Sequence, residues 1–230
     1  MSISLDEAVE LTRTGDLWVF RGRSAPDRAI QFTTNSPVNH VGMAVVLDDM
    51  PPLMWHAELG RSLPDMWTGS HQRGVQLHDL RDAVCVWANR YGQRAWLRQL
   101  EPPAGPAMEE AVLRTVARLD GTPFPSTAQL AWRWARGRMP ELRLRGRSTA
   151  EPAAPREVDR SNAGGAVRDR ALETAYCAEV VAVTYEAMGL LPAGRRPNWY
   201  DPGRFWSGDE LALTGGAQLG AEIEVRIPPR

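Results

Sequence analysis

Cys177 is the residue of this chain best suited to covalent chemistry. Around it, Thr174 is a capping type, and Cys177, Val181, Thr184 or Tyr185, and Met188 fall on one helical stripe closed by Gly189. The spacing predicts a helix with Cys177 in its first turn. There the free backbone N–H groups and the positive end of the helix dipole stabilise a thiolate, and the same groups can hold an oxyanion. A cysteine on an apolar stripe is also an ordinary small core residue, so a nucleophile needs a base nearby.

His40 is the best placed base. It opens the β-rich run His40 to Leu47 directly after the turn-rich Asn35-Ser36-Pro37, so its ring can face a cleft while the strand anchors it. It shares a strand face with Gly42 and Ala44, whose small size leaves room above the sheet or else admits close packing. A third group must orient the imidazole, and Leu53 to Glu58 offers two on one face, His56 and Glu58. In a symmetric hairpin with Leu47 opposite Leu53, Glu58 lies opposite Gly42 and diagonal to His40. Simple register therefore favours Glu58.

Gly15-Asp16 before a strand, Ser36-Pro37-Val38-Asn39-His40-Val41-Gly42-Met43, Trp55-His56-Ala57 and Tyr176-Cys177-Ala178-Glu179-Val180-Val181 occur in a familiar order. With Gly121-Thr122-Pro123-Phe124 and Tyr200-Asp201-Pro202 they resemble the permuted papain-like hydrolases of the NlpC-like superfamily, YiiX type, over about residues 12–90 and 107–206. In that branch the histidine strand precedes the cysteine helix. The resemblance implies Cys177 as nucleophile, His40 as base and His56 as orienting group. Many relatives carry glutamate at that third position, and the related lecithin retinol acyltransferase group carries histidine. Ala178 stands where serine is common. The resemblance implies a cysteine peptidase or amidase acting on an amide, ester or thioester of a small peptide, acyl-amide or lipid-like substrate, without cofactor or metal.

The elements that must position these residues follow from pattern. Leu5 to Leu11 reads as a helix, Leu17 to Phe20 as a strand and Ala29 to Thr34 as a short helix. A five-residue connection, Asp48 to Pro52, joins the hairpin strands, with further strands expected at Gly74 to Leu77 and Ala83 to Ala88, the last burying Cys85. Ala107 to Leu119 is an amphipathic helix, Ala131 to Arg136 another candidate, and Ala221 to Ile227 a last strand. Gly137 to Asp169 is rich in Arg, Pro, Ala, Ser and Gly and reads as a mobile insertion at about 137–169. The expected fold is α+β: one domain over 1–230, a small antiparallel sheet packed against the cysteine-bearing helix.

Composition limits the partners. The 230 residues are 43% hydrophobic with a formal charge of -1, which suits a globular core and gives no field for nucleic acid. No apolar run approaches the ~20 residues of a membrane span, and Met1 to Glu10 lacks an export-signal pattern, so the expected location is cytoplasmic. Cys85 and Cys177 have no CxxC spacing and read as free thiols. All 27 basic residues are arginine, and those between Arg133 and Arg147 are a candidate contact for an anionic partner. His71 and His78 lack ligand-like neighbours and are expected at the surface. Two other readings of the chain are a non-catalytic protein- or lipid-binding module on the same fold and a lipid-directed thiol acyltransferase or phospholipase.

Overall fold

Alternation of apolar residues along each strand builds a sheet buried on both faces. The computed structural model describes residues 2–22, 37–58, 60–123, 177–207 and 211–229. Its elements are β1 (Ser2–Ser4), α1 (Leu5–Leu11), β2 (Leu17–Arg21), β3 (His40–Val45), β4 (Leu53–Glu58) and β5 (Gly74–Asp79). There follow α2 (Leu80–Tyr91), β6 (Arg94–Arg98), β7 (Leu100–Glu101), α3 (Pro106–Leu119), α4 (Cys177–Ala187), two 3-10 turns (Pro197–Trp199 and Pro202–Phe205), β8 (Gln218–Leu219) and β9 (Ile223–Arg226). Seven strands form one sheet in the order β1-β9-β6-β2-β3-β4-β5, and β7 pairs with β8. Every pairing in the large sheet is antiparallel except β1 with β9. The class is α+β, with a larger sheet than the sequence suggests. The segments 29–34, 131–136 and 137–169, and Thr174, lie outside the described residues.

Odd and even positions separate the two cores. Leu17, Val19, Val41, Met43, Val45, Trp55 and Leu77 face α4 and, behind it, α3. Trp18, Phe20, Ala44 and Met54 face α2, with α1 beside it, through Leu80, Ala83, Val84, Trp87 and Ala8. The sheet thus lies between two helical layers.

Cys85 belongs to α2, not to a strand. Asp79 caps that helix by accepting the Asp82 N–H at 2.8 Å, and Leu80, Val84 and Trp87 recur at helical spacing, which overrides the β-branched content of Val84-Cys85-Val86. Cys85 and Cys177 are both free and buried, on opposite sides of the sheet.

Three polar anchors tie α4 and the sheet to their neighbours. Trp55 Nε1 donates to Thr184 Oγ1 at 3.1 Å, across the interface between β4 and α4. Tyr185 donates its hydroxyl to the Gly15 carbonyl at 2.6 Å. Gly15 itself has φ of 92°, and a Cβ there would meet Leu100 at 2.9 Å, so only glycine fits the turn. Next to it, buried Asp16 accepts the Leu100 and Arg13 N–H groups, each at 2.8 Å, and closes the turn onto β7.

Thr184→Val keeps the shape of α4 but leaves the Trp55 N–H buried without an acceptor. Its expected cost is about 1–3 kcal/mol in chemical denaturation. A loss below about 0.5 kcal/mol would mean that this bond does not hold α4 to the sheet.

Candidate active site

His40 is the first residue of β3, and the loop before it is laced to β2. Asn39 donates its N–H to the Phe20 carbonyl at 3.0 Å, and its Oδ1 accepts the Gly22 N–H at 2.6 Å. Arg21 Nε donates to the Pro37 carbonyl. These contacts keep His40 from fraying at a strand end.

The ring of His40 meets the ring of His56, with His40 Nε2 and His56 Nδ1 3.3 Å apart. The line continues: His56 Nε2 lies 3.1 Å from His78 Nδ1. Trp87 of α2 sets its ring edge to face on both His40 and His56, with centroids at 5.0 and 4.8 Å. Phe20 flanks His40 at 5.8 Å. His56 and His78 are wholly buried, so the expectation of a surface His78 is corrected: β5 runs beside β4, and the even-numbered residues of both strands share the α2 face. His71 is exposed, as expected.

Strand register alone does not decide which side chain reaches His40. The observed pairs are Met43↔Trp55, Ala44↔Met54 and Val45↔Leu53, two residues away from the symmetric hairpin, and the connection is 46–52. Extended further, that register would put Glu58 across from His40 and His56 across from Gly42, diagonal to His40, but the pairing stops at Met43↔Trp55. Glu58 is turned away, its carboxylate accepting the Ser62 N–H at 3.3 Å and the Ser62 hydroxyl at 2.7 Å. The space over Gly42 is filled: a Cβ there would lie 2.4 Å from Met54 Sδ and 3.4 Å from His56 Cβ. Close packing, not room for substrate, explains this glycine.

Cys177 approaches from the other face. The paired part of β3 and β4 ends at Met43↔Trp55, and the Val41 N–H, beyond that point, serves the Cys177 sulfur instead. The N–H groups of Ala178 and of Cys177 itself add to this pull on the thiol. The thiol therefore sits near the peptide that follows His40. No hydrogen bond joins Cys177 to His40 or His56. The structure brings His40 and His56 together, places Cys177 against the adjoining main chain, and takes Glu58 elsewhere.

Burial dominates the electrostatics. It pushes the Cys177 thiol up to about 11 against the pull of the three N–H donors. It also lowers His40 to about 4, assisted by the charge of His78, and holds His56 well below its ordinary value. His78 is lowered by burial too, but the charges of Glu58 and Asp65 and the Leu63 carbonyl oppose the shift. At neutral pH the sulfur keeps its proton and the imidazoles are neutral. Among the described residues no group of three His, Cys, Asp or Glu side chains is arranged to hold a metal ion. The three histidines instead turn ring nitrogens toward one another.

Sequence reasoning missed Trp87 and His78. The helical recurrence of Leu80, Val84 and Trp87 after the cap Asp79 is the signal for the first. For the second, it is the alternation that puts Gln76 and His78 on one strand face beside His56.

No family model matches the chain, and no curated protein matches it. Among solved structures, the chain is similar to the crystal structure of the metalloprotein YiiX from Escherichia coli O157:H7, a DUF1105 protein. The identity is 18% and the TM-score 0.46, over 78% of this chain and 68% of that one. Among the described residues no helix is long and apolar enough to cross a membrane.

The depressed histidines set a pH dependence of stability. The unfolded chain binds protons on them near pH 6.5 while the fold resists, so their contribution is present above 6.5 and is lost as pH falls toward 4. Asp16 and Asp120, both raised by burial to about 6, bind protons in the folded state first and oppose the loss below pH 6. Scanning calorimetry should show Tm falling from pH 7.5 to 5.5, less steeply in His56→Phe. An unchanged slope in His56→Phe would mean that the buried histidines do not resist protonation in the fold.

Proposed function

We propose that this chain is a single-domain cysteine hydrolase of the permuted papain-like type, with Cys177 as nucleophile, His40 as base and His56 as the residue orienting His40. The observation that carries this reading is the meeting at Val41. The main chain of Val41, the residue after His40, also acts on the Cys177 sulfur, so candidate nucleophile and candidate base flank the same strand end from its two faces.

In the resting arrangement the thiol is protonated, and His40 is committed to His56 through Nε2. The two side chains lie on opposite faces of the sheet in this arrangement, so attack requires the end of β3 at His40, where pairing with β4 has stopped, to turn its ring toward the Cys177 sulfur. His40 then takes the thiol proton as sulfur attacks the substrate carbonyl carbon, and the carbonyl electrons move to oxygen, held by the N–H groups of Val41 and Ala178. Collapse expels the amine, alcohol or thiol, which leaves with the proton from His40. Water, deprotonated by His40, cleaves the thioester and restores the thiol. The substrate class is an acyl amide, ester or thioester.

The raised thiol favours a second reading, a binding module that keeps the fold without catalysis, since a reactive cysteine ordinarily has a depressed pKa. The two readings part on turnover. Against a panel of aryl esters, thioesters and dipeptide amides, Cys177→Ala should abolish turnover and remove the acyl adduct seen by intact mass. Cys85→Ala should keep both. Undiminished turnover in Cys177→Ala overturns the hydrolase reading, and absence of any Cys177 adduct across the panel favours the binding module.

A further inference from the structure

Arg21 ends β2 on the same face of the sheet as Cys177. Phe20 pairs with His40 and both rings pack on the α2 face, so Arg21, like Val19 before it, projects to the α4 face. There it meets Trp96 of β6 and Trp206. The guanidinium carbon lies 5.3 and 5.9 Å from their ring centroids, and the two indoles stand edge to face at 5.3 Å. Because Val19 pairs with Val41, Arg21 is the diagonal neighbour of the strand residue against which Cys177 sits. A cation and the candidate nucleophile thus share one face and one end of the sheet.

The guanidinium of this half-buried arginine is held in place but keeps donors to spare. Nε donates to the Pro37 carbonyl, and among the described residues the two Nη groups have no hydrogen-bond partner and no carboxylate pairs with them. The neighbouring arginines of the same face are engaged: Arg94, 5.0 Å over Trp96, bridges to Glu224, and Arg98 to Glu222. Glu179, buried in the first turn of α4, acts on Cys177 through charge but forms no ion pair with Arg21. A planar fork with two parallel donors, seated on aromatic rings, recognises a carboxylate end-on. It supplies one charge, which matches a carboxylate better than a doubly charged phosphate. We infer that Arg21 is a specificity residue that binds a carboxylate on the acyl donor, so the substrate is an amide or ester whose acyl chain carries a carboxylate a few bonds from the scissile carbonyl. The place of this carboxylate in catalysis rests on the hydrolase reading; the anion site itself does not.

The test compares isosteres. The para-nitroanilides of glutaric and adipic acid carry a free carboxylate, and the matching carboxamides differ from them in charge alone. The wild type should favour the carboxylates by roughly 10–100-fold in kcat/KM, the range of a hydrogen bond to a charged group. Arg21→Gln should bring that ratio close to one. Arg21→Lys should keep part of it, since the charge stays and the fork is lost. A merely structural Arg21 would lower both members of each pair alike. A second readout needs no turnover: glutarate titrated into Cys177→Ala should quench the fluorescence of the indoles that seat Arg21, saturably. The neutral diamide should not, and Arg21→Gln in the same background should abolish the response. A wild type that turns over both isosteres equally overturns the inference, even if Arg21→Gln does not fold. A preference undiminished in either folded variant overturns it as well. If no acyl compound is turned over, Arg21-dependent glutarate binding sinks the hydrolase reading and leaves the anion site standing, and its absence sinks both.

Discussion

The opening of the ladder between β3 and β4 beyond Met43↔Trp55 governs the site. Were pairing to continue, the Val41 N–H would be spent on β4 and the Cys177 sulfur would have no donor from the sheet. Because it stops, a side chain from the α4 layer reaches the plane of the sheet, while His40 and His56 gather on the other face against Trp87. An antiparallel pair normally hides its backbone donors; here one is released at the strand end, beside the residue with the best base.

That geometry has an electrostatic cost that the rest of the fold sets. Trp87 and Phe20 cover one side of the half-buried His40, His56 and His78 are wholly buried, and the α4 layer buries the thiol. Dry surroundings strengthen each hydrogen bond along the line and disfavour every charge on it. With the thiol protonated and the imidazoles neutral, neither charge forms in this arrangement. Glu58 and Asp65 are the described carboxylates that act on His78 through charge.

Much of this was legible in the sequence. Strand alternation located β2 to β5, helical stripes located α1, α3 and α4, and motif order brought His40, His56 and Cys177 together as candidates. Two failures share a cause. Reading Ala83 to Ala88 as a strand hid α2, and with it Trp87, because β-branched content was weighed over the Asp79 cap and the Leu80, Val84, Trp87 stripe. The symmetric hairpin was two residues out of register and assumed a continuous ladder; what removes Glu58 is the end of pairing at Met43↔Trp55 and its own bonds to Ser62, which a single strand pair does not display. The first error removed the wall against which the histidines pack, and the second pointed to the wrong partner.

The His78 case shows the same limit from another side. A histidine with no nearby partner in sequence looks like a surface residue, since lone histidines often are. Its partner here is 22 positions away, on the adjacent strand, and the two meet only because Met54 pairs with His78, which makes His56 its diagonal neighbour. Once three imidazoles are in series, the identity of each tautomer is no longer a local property. A neutral ring has one N–H and one lone pair, so the tautomer of each ring in the line constrains the next, and His56 carries that constraint between His40 and His78.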